Sequence, residues 1–124
     1  KGGVEELLSS GSSFVSYPLR VVIRWYPRGE KDFPARIAVS VSKRRFKRAV
    51  KRNRVKRLIR ETYRLNKNIL YSYIPEDKTM DILFIYLRDE IFEYGKIEKA
   101  ITGAIKKTRS YIEKDGSGDI ADTH

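Results

Sequence analysis

The chain has 124 residues and a mass of 14.5 kDa, which is enough for one domain with a hydrophobic core. Its 27 Lys and Arg residues outnumber its 16 Asp and Glu residues and give a formal net charge of +11, which favours a polyanionic partner such as nucleic acid. The chain contains no cysteine, so disulfides, thiol catalysis and Cys-ligated metal sites are excluded.

A short helix is predicted at the start of the chain. Val4, Leu7 and Leu8 are spaced for one helical face, and Gly11 is a suitable helix stop. Because the chain begins at Lys1 and this helix is short, we expect the natural N-terminus to be truncated.

Two alternating segments then predict two strands. From Tyr17 to Trp25, apolar residues alternate with Arg20, Val22 and Arg24, and from Arg36 to Ser42 they alternate with small residues. The short Pro-Arg-Gly turn after the first strand predicts that the two strands form a hairpin. Their second face carries small or basic side chains and leaves room for a ligand, although an ordinary half-exposed sheet explains it equally well.

The second half of the chain predicts a helix, a buried strand and a helix. In the first helix, from Arg52 to Asn68, the apolar stripe is Val55, Leu58, Ile59, Thr62 and Asn66, and the opposite edge is Asn53, Arg57, Arg60, Arg64 and Lys67. The apolar run from Met80 to Leu87 predicts a central strand, and helical spacing resumes at Tyr94. We expect one α+β domain over residues 1–114 and a flexible tail over residues 115–124.

The excess charge is confined to one segment. Eleven of the 18 residues from Lys43 to Arg60 are Lys or Arg and none is acidic, whereas the rest of the chain has as many basic as acidic residues. A run of charged residues usually marks only a solvent-exposed face, but such a run contains both acidic and basic residues, whereas this one is entirely basic. Like charges this close repel one another, so the segment predicts a localised binding surface for a polyanion.

Residues for protein-based catalysis are scarce. The one histidine is His124, and no phosphate-binding glycine loop or nucleophile motif occurs. Asp81, Asp89, Glu90 and Glu93 could in principle bind Mg²⁺ as in a metal-dependent nuclease. A helix cap and a solvated loop explain the last three more simply.

The segment from Arg36 to Arg64 resembles the signature region of the bacterial ribonuclease P (RNase P) protein component. In both, a strand ends in a Ser-Val-Ser-Lys run and is followed by a basic loop and a helix that begins with Arg52, Asn53 and Arg54 and continues with Lys56 and Arg57. The resemblance implies the element order α-β-β-β-α-β-α, a single mixed sheet of about four strands, and a left-handed β-α-β crossover.

The resemblance also implies a function as the protein subunit of a ribozyme. The RNA subunit would remove the 5′ leader of precursor tRNA with Mg²⁺, and the protein would hold neither catalytic residues nor a cofactor or metal of its own. The expected partners are the catalytic RNA and precursor tRNA in the cytoplasm, with no membrane and no obligate protein partner. By this resemblance the residues that dock on the RNA subunit are Lys43, Arg44, Arg45, Lys47, Arg48, Arg52, Asn53, Arg54, Lys56, Arg57 and Arg60.

A second implied surface is a cleft between the first helix and the open sheet face, which receives the single-stranded leader. Because Val4 and Leu8 replace the aromatic residues common on that helix, we expect the cleft to act through its shape and two arginines. Its expected lining is Val4, Leu8, Arg20, Val22, Arg24 and Ser40.

Three alternatives make different predictions. A structural RNA-binding module, such as a ribosomal-protein-like domain, would bind RNA without stimulating leader removal. A protein nuclease would cleave alone with Mg²⁺ and would lose activity in Asp81→Asn. Membrane-surface binding is disfavoured because no aromatic residues lie opposite the cationic edge.

Overall fold

A computed structural model describes residues 12–30 and 32–122, with side chains described as far as residue 112. The elements are β1 (Ser12–Ser16), β2 (Leu19–Pro27), β3 (Ala35–Ser40), α1 (Ala49–Tyr71), β4 (Lys78–Tyr86) and α2 (Tyr94–Asp122). The predicted helix around Val4 and Leu8 lies outside the described residues. No helix among the described residues is both long and apolar enough to cross a membrane.

The four strands form one mixed sheet in the order β1-β2-β4-β3. β1 pairs with β2 and β2 with β4 in antiparallel fashion, whereas β3 and β4 are parallel. Parallel neighbours need a crossover connection, and α1 supplies it between β3 and β4. The α+β class, the mixed four-stranded sheet and the β-α-β unit expected from the sequence are therefore confirmed.

The predicted hairpin between β2 and β3 is wrong. β4 lies between them and pairs with all nine residues of β2, from Leu19 to Pro27. The predicted central position of β4 is confirmed, because β4 pairs with β2 on one side and with β3 on the other, and most of its residues are buried. The actual hairpin joins β2 to β1, a serine-rich strand that lacks a clear apolar alternation.

The core lies between one face of the sheet and the two helices. On β2 it takes Leu19, Val21 and Ile23, all fully buried, and from α1 it takes Val55 and Ile59. In the predicted apolar stripe of α1, Thr62 is also buried, while Leu58 and Asn66 are half-buried. The inward phase of this helix is thus confirmed.

Helix α2 ends at Asp122, well beyond residue 114, where the sequence placed the end of the fold. The helical backbone therefore includes residues 115–122, which were expected to form a flexible tail. The domain boundary at residue 114 stays a prediction.

Candidate nucleic-acid interface

The strongest candidate site is the exposed surface of the segment from Lys43 to Arg60, here called the basic ridge. Its first part is the loop between β3 and α1, and its second part is the outer side of the first three turns of α1. All five loop cations are exposed: Lys43, Arg44, Arg45, Lys47 and Arg48.

The helical part of the ridge contains an open groove of about 350 Å³. It is lined by Asn53, Lys56, Arg57, Arg60, Glu61 and Arg64. The groove brings together most of the cationic edge predicted from the helical period. Arg54 is exposed but does not line the groove, because each helical residue is rotated by roughly 100° from the previous one.

No carboxylate of the described residues neutralises the ridge. Among the described residues, ion pairs join Arg24 and Arg36 to Asp81, Arg64 to Glu61, and Arg88 to Glu90. No cation from Lys43 to Arg60 is in an ion pair in this part of the chain. The first turn of α1 also has no acidic residue, so the positive end of the helix dipole adds to the ridge.

The basic loop is held in place by a buried anchor. Phe46 is 5% exposed, and its ring centroid lies 6.1 Å from that of Tyr86 in the core. The carbonyl oxygen of Ser42 accepts hydrogen bonds from the backbone amides of Arg45 and Phe46 at 3.2 and 3.0 Å. The loop is therefore a fixed turn whose cationic side chains stay in solvent.

Arg52 also has a structural role that its sequence motif does not indicate. Its guanidinium Nη1 donates to the carbonyl oxygens of Phe46 at 2.8 Å and of Lys47 at 3.0 Å. The side chain is half-buried and fastens the loop to the first turns of α1. Its predicted contact with RNA stays a prediction, while its contribution to the shape of the ridge is seen directly.

The second predicted surface lies on the sheet face that points away from α1 and α2. Arg20 on β2 and Ser40 on β3 are both exposed and both face Ile85 of the central strand. Val22 lies on the same face but is only 2% exposed and packs with Leu83, so it offers little surface to a ligand. Val4 and Leu8 lie outside the described residues.

The sequence did not single out the polar cluster at the other end of this face. The Asp81 carboxylate accepts hydrogen bonds from Arg36 Nε at 2.7 Å, Arg36 Nη2 at 3.3 Å and the Tyr26 hydroxyl at 3.0 Å. Arg24 Nη1 lies 4.0 Å from the same carboxylate. The signal in the sequence was a carboxylate inside an apolar strand, since a buried charge requires partners, but the sequence does not say which ones.

Interaction with Asp81 shifts the pKa values of two of its neighbours, Arg36 and Tyr26. Hydrogen bonding to Asp81 raises the pKa of the Arg36 guanidinium, which therefore stays protonated. Burial, followed by the hydrogen bond to Asp81, raises the pKa of Tyr26 above its ordinary value of 10.0. Tyr26 is thus a neutral hydrogen-bond donor at physiological pH.

The carboxylates considered for a nuclease centre do not converge. Asp81 lies inside β4, and the strand continues for five more residues, roughly 16 Å, before the loop that holds Asp89 and Glu90. Glu90 is paired with Arg88. Among the described residues, no group of three His, Asp or Glu side chains is placed to hold a metal ion.

Comparison with known proteins identifies the family. A family model described as Ribonuclease P matches residues 5–109. The chain belongs to the family of bacterial RNase P protein components. An RNase P protein component from Porphyromonas gingivalis is 42% identical over 99 residues, which is 79% of this chain and 72% of that protein.

Solved RNase P proteins share the fold. The protein from Thermotoga maritima superposes with a TM-score of 0.66 at 23% identity and covers 85% of this chain and 90% of its own. The protein from Staphylococcus aureus gives the same TM-score and identity, and it covers 87% of this chain and 90% of its own. At this level of identity the structural match concerns the RNase P protein fold alone.

The double role of Arg52 can be tested by stability. Arg52→Ala removes both bonds to the loop carbonyls, so the free energy of unfolding should fall by about 1–2 kcal/mol. Arg54→Ala removes the same charge from an exposed position and should change it by less than about 0.5 kcal/mol. Urea denaturation of both variants measures the difference, and equal losses would contradict the fastening role.

Proposed function

We propose that this chain is the protein subunit of a ribonucleoprotein RNase P that removes the 5′ leader of precursor tRNA. Family membership implies the RNase P RNA as its partner. The observation that carries the rest of the proposal is the basic ridge, whose eleven cations have no carboxylate partner among the described residues. A surface of this kind binds phosphate through counterion release.

The ridge is the proposed contact with the RNA subunit. Its loop is fixed by Phe46 and Arg52, so its cations project from a turn of constant shape. The groove of α1 adds Lys56, Arg57 and Arg60 on a rigid helix. Cations on a fixed scaffold lose less conformational entropy on binding than cations on a disordered tail.

The sheet face opposite α1 and α2 is the proposed contact with the single-stranded leader. It presents Arg20, Arg24 and Ser40, on the side of the sheet opposite α1 and α2. A sheet platform of this kind can contact a single strand in extended conformation. Two RNA segments can thus be held on different surfaces of one small protein.

Catalysis is assigned to the RNA subunit. Among the described residues no group of three His, Asp or Glu side chains is placed to hold a metal ion, and in this proposal Mg²⁺ is bound through the RNA while the protein binds no cofactor. The protein lowers the repulsion between the phosphates of the ribozyme and those of its substrate. The complex acts in the cytoplasm, without a membrane and without an obligate protein partner.

The proposal predicts that the protein lowers the Mg²⁺ requirement of the RNA. At a Mg²⁺ concentration at which the RNA subunit cleaves precursor tRNA slowly, added protein should raise the rate by about tenfold or more, which corresponds to about 1.4 kcal/mol of the barrier. The assay compares RNA subunit, protein and both together.

Each outcome of that assay has a meaning. Cleavage by the protein alone would favour a nuclease. Binding of the RNA subunit without any gain in leader removal would favour a structural RNA-binding module. Either result would contradict the proposed function.

The position of the RNA contact can be tested by salt dependence. Arg57→Ala and Arg60→Ala should each weaken binding of the RNA subunit and reduce the slope of log affinity against log salt by about one. Lys106→Ala is the matched control, because Lys106 is an exposed cation on α2. Equal effects from all three variants would show diffuse binding and would argue against a localised ridge.

A further inference from the structure

Three charged residues form a row across the sheet at the end of the face opposite the helices. The strand register places Arg24 of β2 directly opposite Asp81 of β4, and Arg36 of β3 opposite the same Asp81. Since neighbouring strands are about 4.8 Å apart, the two arginines leave the backbone roughly 10 Å apart, one on each side of the carboxylate.

Asp81 is enclosed by this row. Its side chain is 9% exposed, and its two oxygens accept hydrogen bonds from Arg36 and Tyr26, with Arg24 at 4.0 Å. One carboxylate faces two guanidinium groups, and it is hydrogen-bonded to that of Arg36. Asp81 therefore fixes the position of the Arg36 guanidinium.

One edge of the Arg36 guanidinium is hydrogen-bonded to Asp81, and the other edge is exposed. Its side chain is 62% exposed although Nε and Nη2 are bonded to Asp81. Among the described residues it has no second acceptor, which leaves its remaining N–H groups for solvent or a ligand. The Phe33 ring, with its centroid 5.9 Å from the guanidinium carbon, contributes a cation–π contact.

A guanidinium fixed in this way is prepared to bind phosphate. A planar guanidinium can donate two parallel hydrogen bonds to a phosphate. Because the Asp81 carboxylate has already restricted the side-chain rotamers of Arg36, less conformational entropy is lost on binding. The row lies on the same face as Arg20 and Ser40, with the buried pair Val22 and Leu83 between them. Arg20 and Arg36 can therefore contact one strand of RNA from the same side of the sheet.

We propose that Arg36 contacts a phosphate of the single-stranded 5′ leader, and that Asp81 is the positioning residue that orients Arg36 for this contact. The proposal rests on the proposed function, since it extends the leader surface by two residues. The leader is favoured over the RNA subunit because Arg36 is exposed on the sheet face opposite α1 and α2 and not on the basic ridge.

Charge and geometry predict opposite results for one variant. If only net charge mattered, Asp81→Asn would add one positive charge to the face and tighten leader binding. If Asp81 orients Arg36, the same variant weakens leader binding, because the guanidinium loses its fixed position. Arg36→Lys is the complementary variant, since it keeps the charge and removes the fork.

The experiment measures the affinity of the holoenzyme, RNA subunit plus protein, for precursor tRNA and for the same tRNA without a leader. Both Asp81→Asn and Arg36→Lys should reduce the precursor-to-mature affinity ratio by about tenfold, with little change for mature tRNA. Lys106→Ala should leave the ratio unchanged. Because Arg36 is largely exposed, Arg36→Lys keeps the fold and tests the contact even if Asp81→Asn lowers stability.

Three results would overturn the proposal. These are tighter leader binding by Asp81→Asn, an unchanged ratio in Arg36→Lys, or a loss confined to binding of the RNA subunit. A different result would overturn the proposed function instead: wild-type holoenzyme with no preference for precursor over mature tRNA. The two failures are therefore distinguishable in one set of measurements.

Discussion

Mutual repulsion among the cations from Lys43 to Arg60 is the constraint on which the rest of the structure depends. Each like-charge pair four residues apart on a helix costs a few tenths of a kcal/mol. Burial of a side chain such as Val55 or Ile59, both fully buried on the other side of α1, contributes about 1.5–3 kcal/mol. The apolar side of the helix therefore keeps the cations together against their mutual repulsion.

The two candidate surfaces hold their cations in different ways. On the basic ridge no carboxylate of the described chain restrains the charges, and Phe46 and Arg52 fix only the backbone that bears them. On the sheet face, Asp81 fixes the guanidinium of Arg36 itself. The first arrangement suits strong, salt-dependent attachment to a large RNA, and the second suits a contact that depends on geometry.

Local patterns predicted the described elements other than β1, but they did not predict the long-range pairing of the strands. The period of α1, the continuous apolar run of β4 and the charge concentration were all visible in the sequence, because each is a pattern of neighbouring residues. The place of β4 between β2 and β3 was missed, since alternation identifies a strand but not its partner. The Asp81 and Arg36 pair, 45 residues apart, was missed for the same reason.

The most direct test of the account is proximity of the ridge to RNA. The chain has no cysteine, so Glu61→Cys, in the groove of α1, and Lys106→Cys, exposed on α2, each provide a single attachment point for a tethered iron chelate that produces hydroxyl radicals. We predict focused cleavage of the RNase P RNA from the Glu61→Cys probe and little from the Lys106→Cys probe. Equal, scattered cleavage from both probes would contradict a localised RNA-binding ridge.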